Sequence, residues 1–178
     1  LQIIYEICFD KNRIDLLNKN ENEEEDLIYE AFSTMGKIIE FSYTNTKLII
    51  RDLFERLFQD FKNFTKNASY SKNVKKIFLG CICENFDCAI SSGNIIINIE
   101  ISKNLSEAII ESFKELSDIY EEGIYVFIEI SNSLNEEFEI ILKEFLGPYL
   151  IHCLKSEDLS LRKVGFICLE STIRNLSN

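Results

Sequence analysis

Residues 119–155 read IYEEGIYVFIEISNSLNEEFEIILKEFLGPYLIHCLK, and this stretch decides the fold because it predicts one complete pair of packed helices. The first helix is predicted over residues 119–133, with an inward face formed at helical spacing by Ile124, Phe127, Ile128, Ser131 and Leu134. The second is predicted over residues 136–155, with a kink where Gly147 and Pro148 interrupt it. The apolar faces of such a pair need neighbouring helices to cover them.

Similar pairs recur along the chain. First helices begin near residues 26, 72, 120 and 157, at intervals of about 46, 48 and 37 residues, which lie within or next to the range of HEAT and armadillo repeats. We therefore predict an all-α fold, a HEAT-repeat α-solenoid of about three helical hairpins plus flanking half-repeats. The prediction is a single array over residues 1–178, with repeats at residues 26–64, 71–117 and 119–155 and half-repeats at residues 1–17 and 157–178.

The same spacing predicts which residues face inward in the other helices. In the first hairpin, with helices at residues 26–43 and 47–64, they are Ile28, Ala31, Met35, Ile38 and Ser42, then Ile49, Leu53, Leu57 and Phe61. In the second hairpin they are Val74, Ile77, Phe78, Cys81, Ile82 and Phe86, then Leu105, Ile109, Phe113 and Leu116 in a helix over residues 104–117. In the last helix, residues 159–176, they are Leu161, Val164, Cys168 and Thr172.

Three segments depart from this periodicity. Residues 1–10 are interpreted as the second helix of a truncated pair, so the sequence is expected to be an internal fragment of a longer chain. Residues 19–26 are polar and acidic, which predicts an exposed loop whose last acids begin the next helix. Residues 95–101 read IIINIEI; their β-branched residues favour a strand, and we interpret them as a long connection packed on the stack.

The formal net charge of −11 makes direct binding of nucleic acid improbable, because phosphate contacts need clustered Lys and Arg. An acidic surface favours basic partners or simply maintains solubility. No apolar run is long enough to span a membrane, and no secretory signal is visible. The six cysteines lie mostly among apolar neighbours, which predicts buried reduced thiols and a cytosolic or nuclear setting.

Catalysis finds no support in the sequence. His152 is the only histidine and is expected to lie in the core or a groove, without an evident Ser or Cys partner. There is no Gly-rich phosphate loop and no set of carboxylates and histidines at metal spacing. We therefore expect a protein that is not an enzyme and that uses no cofactor and no metal.

The stretch from residue 120 to residue 176 resembles importin-β, the nuclear import receptor of the karyopherin-β family. The shared pattern is an acidic start to the first helix, a second helix that begins with Phe, contains Pro and ends in Leu-Lys, and a following helix that contains Val-Gly. Here the residues of this pattern are Glu121, Glu122, Phe138, Phe145, Pro148, Tyr149, Leu150, Leu154, Lys155, Val164 and Gly165. The upstream residues are similar to the same middle region of that family at lower specificity.

The resemblance implies an internal piece of a longer superhelix that works in nucleocytoplasmic transport. Members of that family bind the basic importin-β-binding segment of an adaptor, or a cargo, on the inner surface lined by second helices. They contact Phe-Gly nucleoporins, mainly through other parts of the receptor, and release cargo when the GTPase Ran binds. Localisation in the cytoplasm and nucleus and at the nuclear pore is implied as well.

Two acidic rows are the predicted partner-binding residues. Glu107, Glu111 and Glu115 form one row on the second helix of the second pair, opposite the inward residues, and Glu137 and Glu144 share a face on the next second helix. A solvated helix face explains such rows equally simply. The alternative functions are a non-transport HEAT scaffold, associated with a phosphatase or with chromosomes, and a compact helical bundle with an enzymatic or signalling role.

Overall fold

The structure, a computed structural model, describes residues 1–19, 23–42 and 46–176, and all regular secondary structure within these ranges is helical. The α-helices are α1 Gln2–Cys8, α2 Lys11–Leu17, α3 Glu23–Glu40, α4 Lys47–Lys66, α5 Lys72–Ser91, α6 Ile99–Leu116, α7 Glu121–Leu134, α8 Phe138–Ile141, α9 Gly147–Lys155 and α10 Leu159–Leu176. A 3₁₀ turn, Asn135–Glu137, precedes α8, and a π-helical turn, Leu142–Leu146, joins α8 to α9. The all-α prediction is confirmed for the described residues.

The helices form two compact units, Leu1–Ile95 and Ile96–Asn178. The boundary falls inside the predicted repeat at residues 71–117, whose two helices, α5 and α6, belong to different units. One continuous array over residues 1–178 stays a prediction.

In the first unit α5 is the central helix. It packs against both α3 and α4, while α1 and α2 pack against α3. The six residues of α5 that were predicted to face inward are all buried. Aromatic rings fill the centre, with Phe64 and Phe78 stacked at 4.4 Å and Phe32 edge-on to Phe78 at 5.9 Å. Such ring pairs add about 0.5–1.5 kcal/mol each beyond the area they bury.

Two side-chain amides connect α5 and the segment after it to α3. The buried Asn85 donates through Nδ2 to the carbonyl of Phe32 at 3.3 Å and to that of Cys81 at 2.9 Å. Asn94 donates through Nδ2 to the carbonyl of Ile39 at 2.7 Å. Because an amide without partners is costly to bury, these bonds fix where α5 lies along α3.

Lys75 is buried near the start of α5, and its Nζ donates at 2.8 Å to the carbonyl of Thr65 in the last turn of α4. The last carbonyls of a helix lack intrahelical partners and carry partial negative charge, so an ammonium group stabilises them. Lys72 and Lys76, its neighbours in sequence, are exposed. Of these three lysines, Lys75 therefore has a structural role.

Lys75→Met should lower the free energy of unfolding by about 1.5–3 kcal/mol, the usual worth of a hydrogen bond to a charged group. Methionine retains an apolar stem but leaves the Thr65 carbonyl without this donor. The matched control is Lys72→Met, which removes the same charge from an exposed side chain and should change stability by no more than about 0.5 kcal/mol. Urea unfolding followed by circular dichroism measures both, and equal losses would contradict the capping role.

In the second unit α10 packs against α7 and α9, and α6 packs against α7, α8 and the π turn. Hydrogen bonds from two residues of α10 reach α7. Ser171 Oγ donates to Asn132 Oδ1 at 2.8 Å, and Asn175 Nδ2 donates to Ser131 Oγ at 3.0 Å and to Asn132 Oδ1 at 3.4 Å. Every residue predicted to face inward from α6, α7 and α10 is buried. The bounds of α10 match the predicted residues 159–176.

The segment at residues 95–101 differs from its prediction. It forms neither a strand nor a connection throughout, because α6 begins at Ile99, five residues before the predicted start at residue 104. Asn98 caps the helix by accepting from the N–H of Ile101 at 2.9 Å, and Ile95 and Ile97 are buried just before it. A local cap and burial thus override the strand preference of β-branched residues.

The second helix of the third hairpin is also more complex than predicted. Residues 136–155 form a 3₁₀ turn, α8, a π turn and α9 instead of one helix with a kink at Pro148. Proline has no N–H to donate. In the π turn ahead of it, the N–H of Gly147 bonds to the carbonyl of Leu142, five residues earlier instead of the four of an α-helix. The interruption therefore lies one turn earlier than the proline itself.

Several predictions for the first unit are wrong in detail. Residues 1–10 were predicted as one helix, yet α1 ends at Cys8. Asp10 then caps a new helix, α2, by accepting from the N–H of Arg13 at 3.0 Å. The helix predicted to begin at residue 26 begins at Glu23, so only residue 19 of the predicted loop is described as non-helical, and residues 20–22 lie outside the described ranges. Three predicted inward positions differ from the structure: Ile38 and Ile49 are exposed and Ser42 is half-buried. Their neighbours Ile39 and Ile50 are buried, as is Phe32.

Candidate interaction surface

The candidate surface is the solvent-facing side of α6, a helix with defined caps at both ends. Asn98 caps its start, and at its end Ser117 adopts a left-handed conformation with φ of 54°. The N–H of Asp118 bonds back to the carbonyl of Phe113 at 3.2 Å, as in a Schellman-type termination. These caps define where α6 begins and ends, and its packing against α7, α8 and the π turn determines which residues meet solvent.

The acidic row lies where the spacing predicted it. Glu107 and Glu115 are exposed and Glu111 is half-buried, on the side of α6 opposite the buried Leu105 and Ile109. Glu100, also exposed, occupies the first turn of α6 and extends the row toward the helix start. Sequence reasoning missed Glu100 because it began the helix at residue 104; recognising Asn98 as a cap would have found it.

Two lysines interrupt the negative charge of this row. Lys103 lies three residues after Glu100 and four before Glu107. Lys114 is exposed three residues after Glu111, on the same side of α6. Like charges at i,i+4 cost a helix about 0.2–0.5 kcal/mol per pair, and a nearby opposite charge offsets part of that cost. The row remains negative overall, with four glutamates to two lysines.

The second predicted pair of acids lies in a different setting. Glu144 is in the π turn, where its carboxylate is 3.5 Å from the Nζ of Lys103 on α6, and both side chains are about half exposed. An exposed ion pair of this kind contributes about 0–1 kcal/mol. Glu137 is exposed in the 3₁₀ turn. The shared face assumed one continuous helix, but Glu137 lies in the 3₁₀ turn and Glu144 in the π turn, with α8 between them. A role for the two residues in binding stays a prediction.

Aromatic rings hold α6 against α7. The Phe113 ring is edge-on to Tyr120 at 4.9 Å and 5.7 Å from Tyr149, and the Tyr120 hydroxyl is 2.8 Å from Ser112 Oγ. Gly123 fits against this group: a Cβ there would lie 2.8 Å from Phe113 Cζ and 3.0 Å from Tyr120 Cε2. The absence of a side chain at Gly123 therefore sets how closely α7 approaches α6.

Gly123→Ala should lower the free energy of unfolding, although Gly→Ala inside a helix ordinarily stabilises it by about 1 kcal/mol. The added methyl group collides with two rings that their neighbours hold in place, and overpacking costs about 1–3 kcal/mol. Gly36→Ala in α3 is the control, since its nearest neighbour would be Cys88 Sγ at 3.3 Å, and it should be neutral or stabilising. Thermal unfolding would contradict the packing argument if both variants were stabilised alike.

A titratable cluster joins α1 to α4 in the first unit. The Tyr5 hydroxyl donates to the Asp60 carboxylate, and the Arg56 guanidinium lies 3.9 Å above the Tyr5 ring while donating to Gln2 Oε1 at 2.8 Å. Burial, and then the bond to Asp60, raises the pKa of Tyr5 to about 12. Burial also raises the pKa of Asp60, against the lowering effects of Tyr5 and Arg56. The cluster works as a polar tether between two helices.

His152 was expected in the core or a groove, but it is exposed on α9. Within the described ranges, no group of three His, Cys, Asp or Glu side chains is placed to hold a metal ion.

The cysteines follow the prediction for thiols. All six are free; Cys8, Cys81, Cys83, Cys153 and Cys168 are buried and Cys88 is half-buried. Burial raises the pKa of Cys8 and of Cys168 to about 12. For Cys88, burial and then the carboxylates of Asp87, Glu40 and Glu84 raise the pKa to about 11. Thiols that stay protonated and covered are poor nucleophiles.

A thiol reagent such as DTNB at pH 8 should therefore react slowly with the folded chain and with all six cysteines after unfolding in guanidinium. The reactivity that remains in the folded state should come mainly from Cys88, the most accessible thiol, and Cys88→Ser should remove most of it. Rapid reaction of several thiols in the native state would contradict the burial described above.

None of the described helices has the length and apolar character needed to cross a membrane. Comparison with protein-family models, curated proteins and solved structures finds no match to this chain.

Proposed function

We propose that this chain is part of a HEAT-type α-solenoid, of the importin-β kind, that binds basic segments of an adaptor or cargo during nuclear import. The observation that carries the proposal is the acidic, solvent-facing row on α6. The bound segment would lie along the side of this second helix. Cycling between cytoplasm and nucleus, release by Ran and a role as a carrier without catalysis belong to the same proposal.

A repeated packing arrangement supports the solenoid part of the proposal. In the first unit, α5 packs against both helices of the pair before it, α3 and α4. In the second unit, α10 likewise packs against α7 and α9, which belong to the pair before it. Helical repeats bury their apolar faces in this way, each new helix lying on the preceding pair.

The dimensions of the acidic row support a short, extended basic ligand. From Glu100 to Glu115 the row runs about 22 Å at the helical rise per residue. An extended peptide of about seven residues covers that length. Each exposed ion pair contributes only about 0.2–1 kcal/mol, so affinity must come from several pairs together and must fall as salt screens them.

The test is fluorescence anisotropy with a labelled Lys/Arg-rich peptide, at about 50 and 150 mM salt. The chain should bind saturably and more tightly at low salt. The combined variant Glu107→Lys, Glu111→Lys and Glu115→Lys should weaken binding at least about tenfold, because it replaces attraction with repulsion. Circular dichroism would verify that the variant keeps its helix content.

The matched control reverses three exposed acids on other surfaces: Glu30→Lys, Glu40→Lys and Glu157→Lys. It changes net charge by the same amount, so it separates a specific row from general electrostatic attraction. Equal weakening by both variants would reject α6 as the binding surface. Absence of binding even at low salt would reject the import function for this part of the chain and favour a non-transport HEAT scaffold.

A further inference from the structure

Helix α10 has a second apolar face that the rest of the described chain leaves exposed. Leu159 is 71 % exposed, Phe166 58 % and Ile173 56 %. These three residues recur every seven positions, which places them in one line along the helix. Beside them, Phe166, Leu169, Glu170, Ile173 and Arg174 line a shallow groove of about 360 Å³.

Comparison with α7 indicates that this face is built to be covered. Gly165 in α10 lies against the end of α9, where a Cβ would be 2.9 Å from Cys153 Cβ, just as Gly123 in α7 lies against the end of α6. Aligning the two glycines pairs residues that are exposed in α10 with residues that are buried in α7. The pairs are Phe166 with Ile124 and Ile173 with Ser131, while Cys168 and Val126 are buried in both helices.

The exposed line is complementary to itself when two α10 helices run antiparallel. With Phe166 at the two-fold axis, Leu159 of one helix meets Ile173 of the other, and Phe166 meets its own copy. Lys163 then lies near Glu170 of the second helix, so opposite charges flank the apolar line on both sides. Glu170 also pairs with Arg174 of its own helix at 2.8 Å, so Lys163 would add a second, exposed partner. Leu159, the most exposed of the three, reaches the groove beside Phe166, Leu169 and Ile173.

We propose that a second copy of this chain covers this face, forming a two-fold symmetric dimer through antiparallel α10 helices. Isologous pairing of this kind is the commonest symmetry of homo-oligomers. The apolar line is only about 21 Å long, so the contact falls below the roughly 1,200–2,000 Å² of stable interfaces. The dimer is therefore weak, and because it requires no basic ligand its test is separate from the peptide-binding test.

The test is sedimentation velocity of the chain over about 5 to 500 µM, a range that covers weak association. The wild-type chain should move from monomer to dimer as concentration rises. Phe166→Asp places like charges at the symmetry axis and should raise the dissociation constant at least about tenfold, the scale of a central hot spot. Leu48→Asp, at a residue 77 % exposed on α4, is the matched control and should leave association unchanged.

A charge exchange tests the antiparallel register. Lys163→Glu should weaken the dimer because it places like charges against Glu170, and Glu170→Lys should weaken it in the same way against Lys163. Combining the two changes restores opposite charges across the axis and should restore association. Such rescue distinguishes a specific two-fold contact from general stickiness of an apolar helix.

A chain that stays monomeric at 500 µM overturns the proposal. Dimerisation that survives Phe166→Asp also overturns it, because the contact would then lie elsewhere. Loss of association in Leu48→Asp but not in Phe166→Asp would assign the interface to the first unit instead.

Discussion

The arrangement of the second unit depends on two close approaches between a helix and the end of its predecessor, each made at a glycine. Gly123 brings α7 onto the Phe113 ring of α6, and Gly165 brings α10 onto Cys153 of α9. The distance between packed helices depends on the side chains at the contact, so a larger residue at either point would separate them. With both contacts in place, α10 reaches α7, and polar bonds from Ser171 and Asn175 fix its position.

Hydrophobic periodicity predicted the inward residues of α6, α7 and α10 in the second unit, all of which are buried. It was less accurate in α3 and α4 of the first unit, at two pairs of adjacent isoleucines. At Ile38 and Ile39, and again at Ile49 and Ile50, the spacing chose the first isoleucine and the structure buries the second. Two adjacent residues differ by only about 100° around a helix, so a broad apolar stripe does not determine which one faces the core.

Other features depend on contacts between residues far apart in sequence. Lys75 is one of three neighbouring lysines, and only the position of α4 selects it to cap the Thr65 carbonyl. Likewise, the spacing of Glu107, Glu111 and Glu115 predicts their shared face from local geometry, whereas the ion pair of Glu144 with Lys103 exists only because the π turn packs on α6. The start of α6 is an intermediate case: Asn98 was visible in the sequence, but the isoleucines around it favoured another interpretation.

The two proposed surfaces of the second unit differ in the physical force that would govern them. The acidic row of α6 would bind a partner through exposed charges, whose reach shrinks from about 10 Å at 0.1 M salt to about 3 Å at 1 M. The exposed Leu159, Phe166 and Ile173 of α10 would associate by burial of apolar surface, which salt does not screen and which excluded ions such as sulfate strengthen. Rising ionic strength should therefore release a basic ligand from α6 while association through α10 persists. Both helices pack against α7, so α7 connects the two proposed surfaces within the second unit.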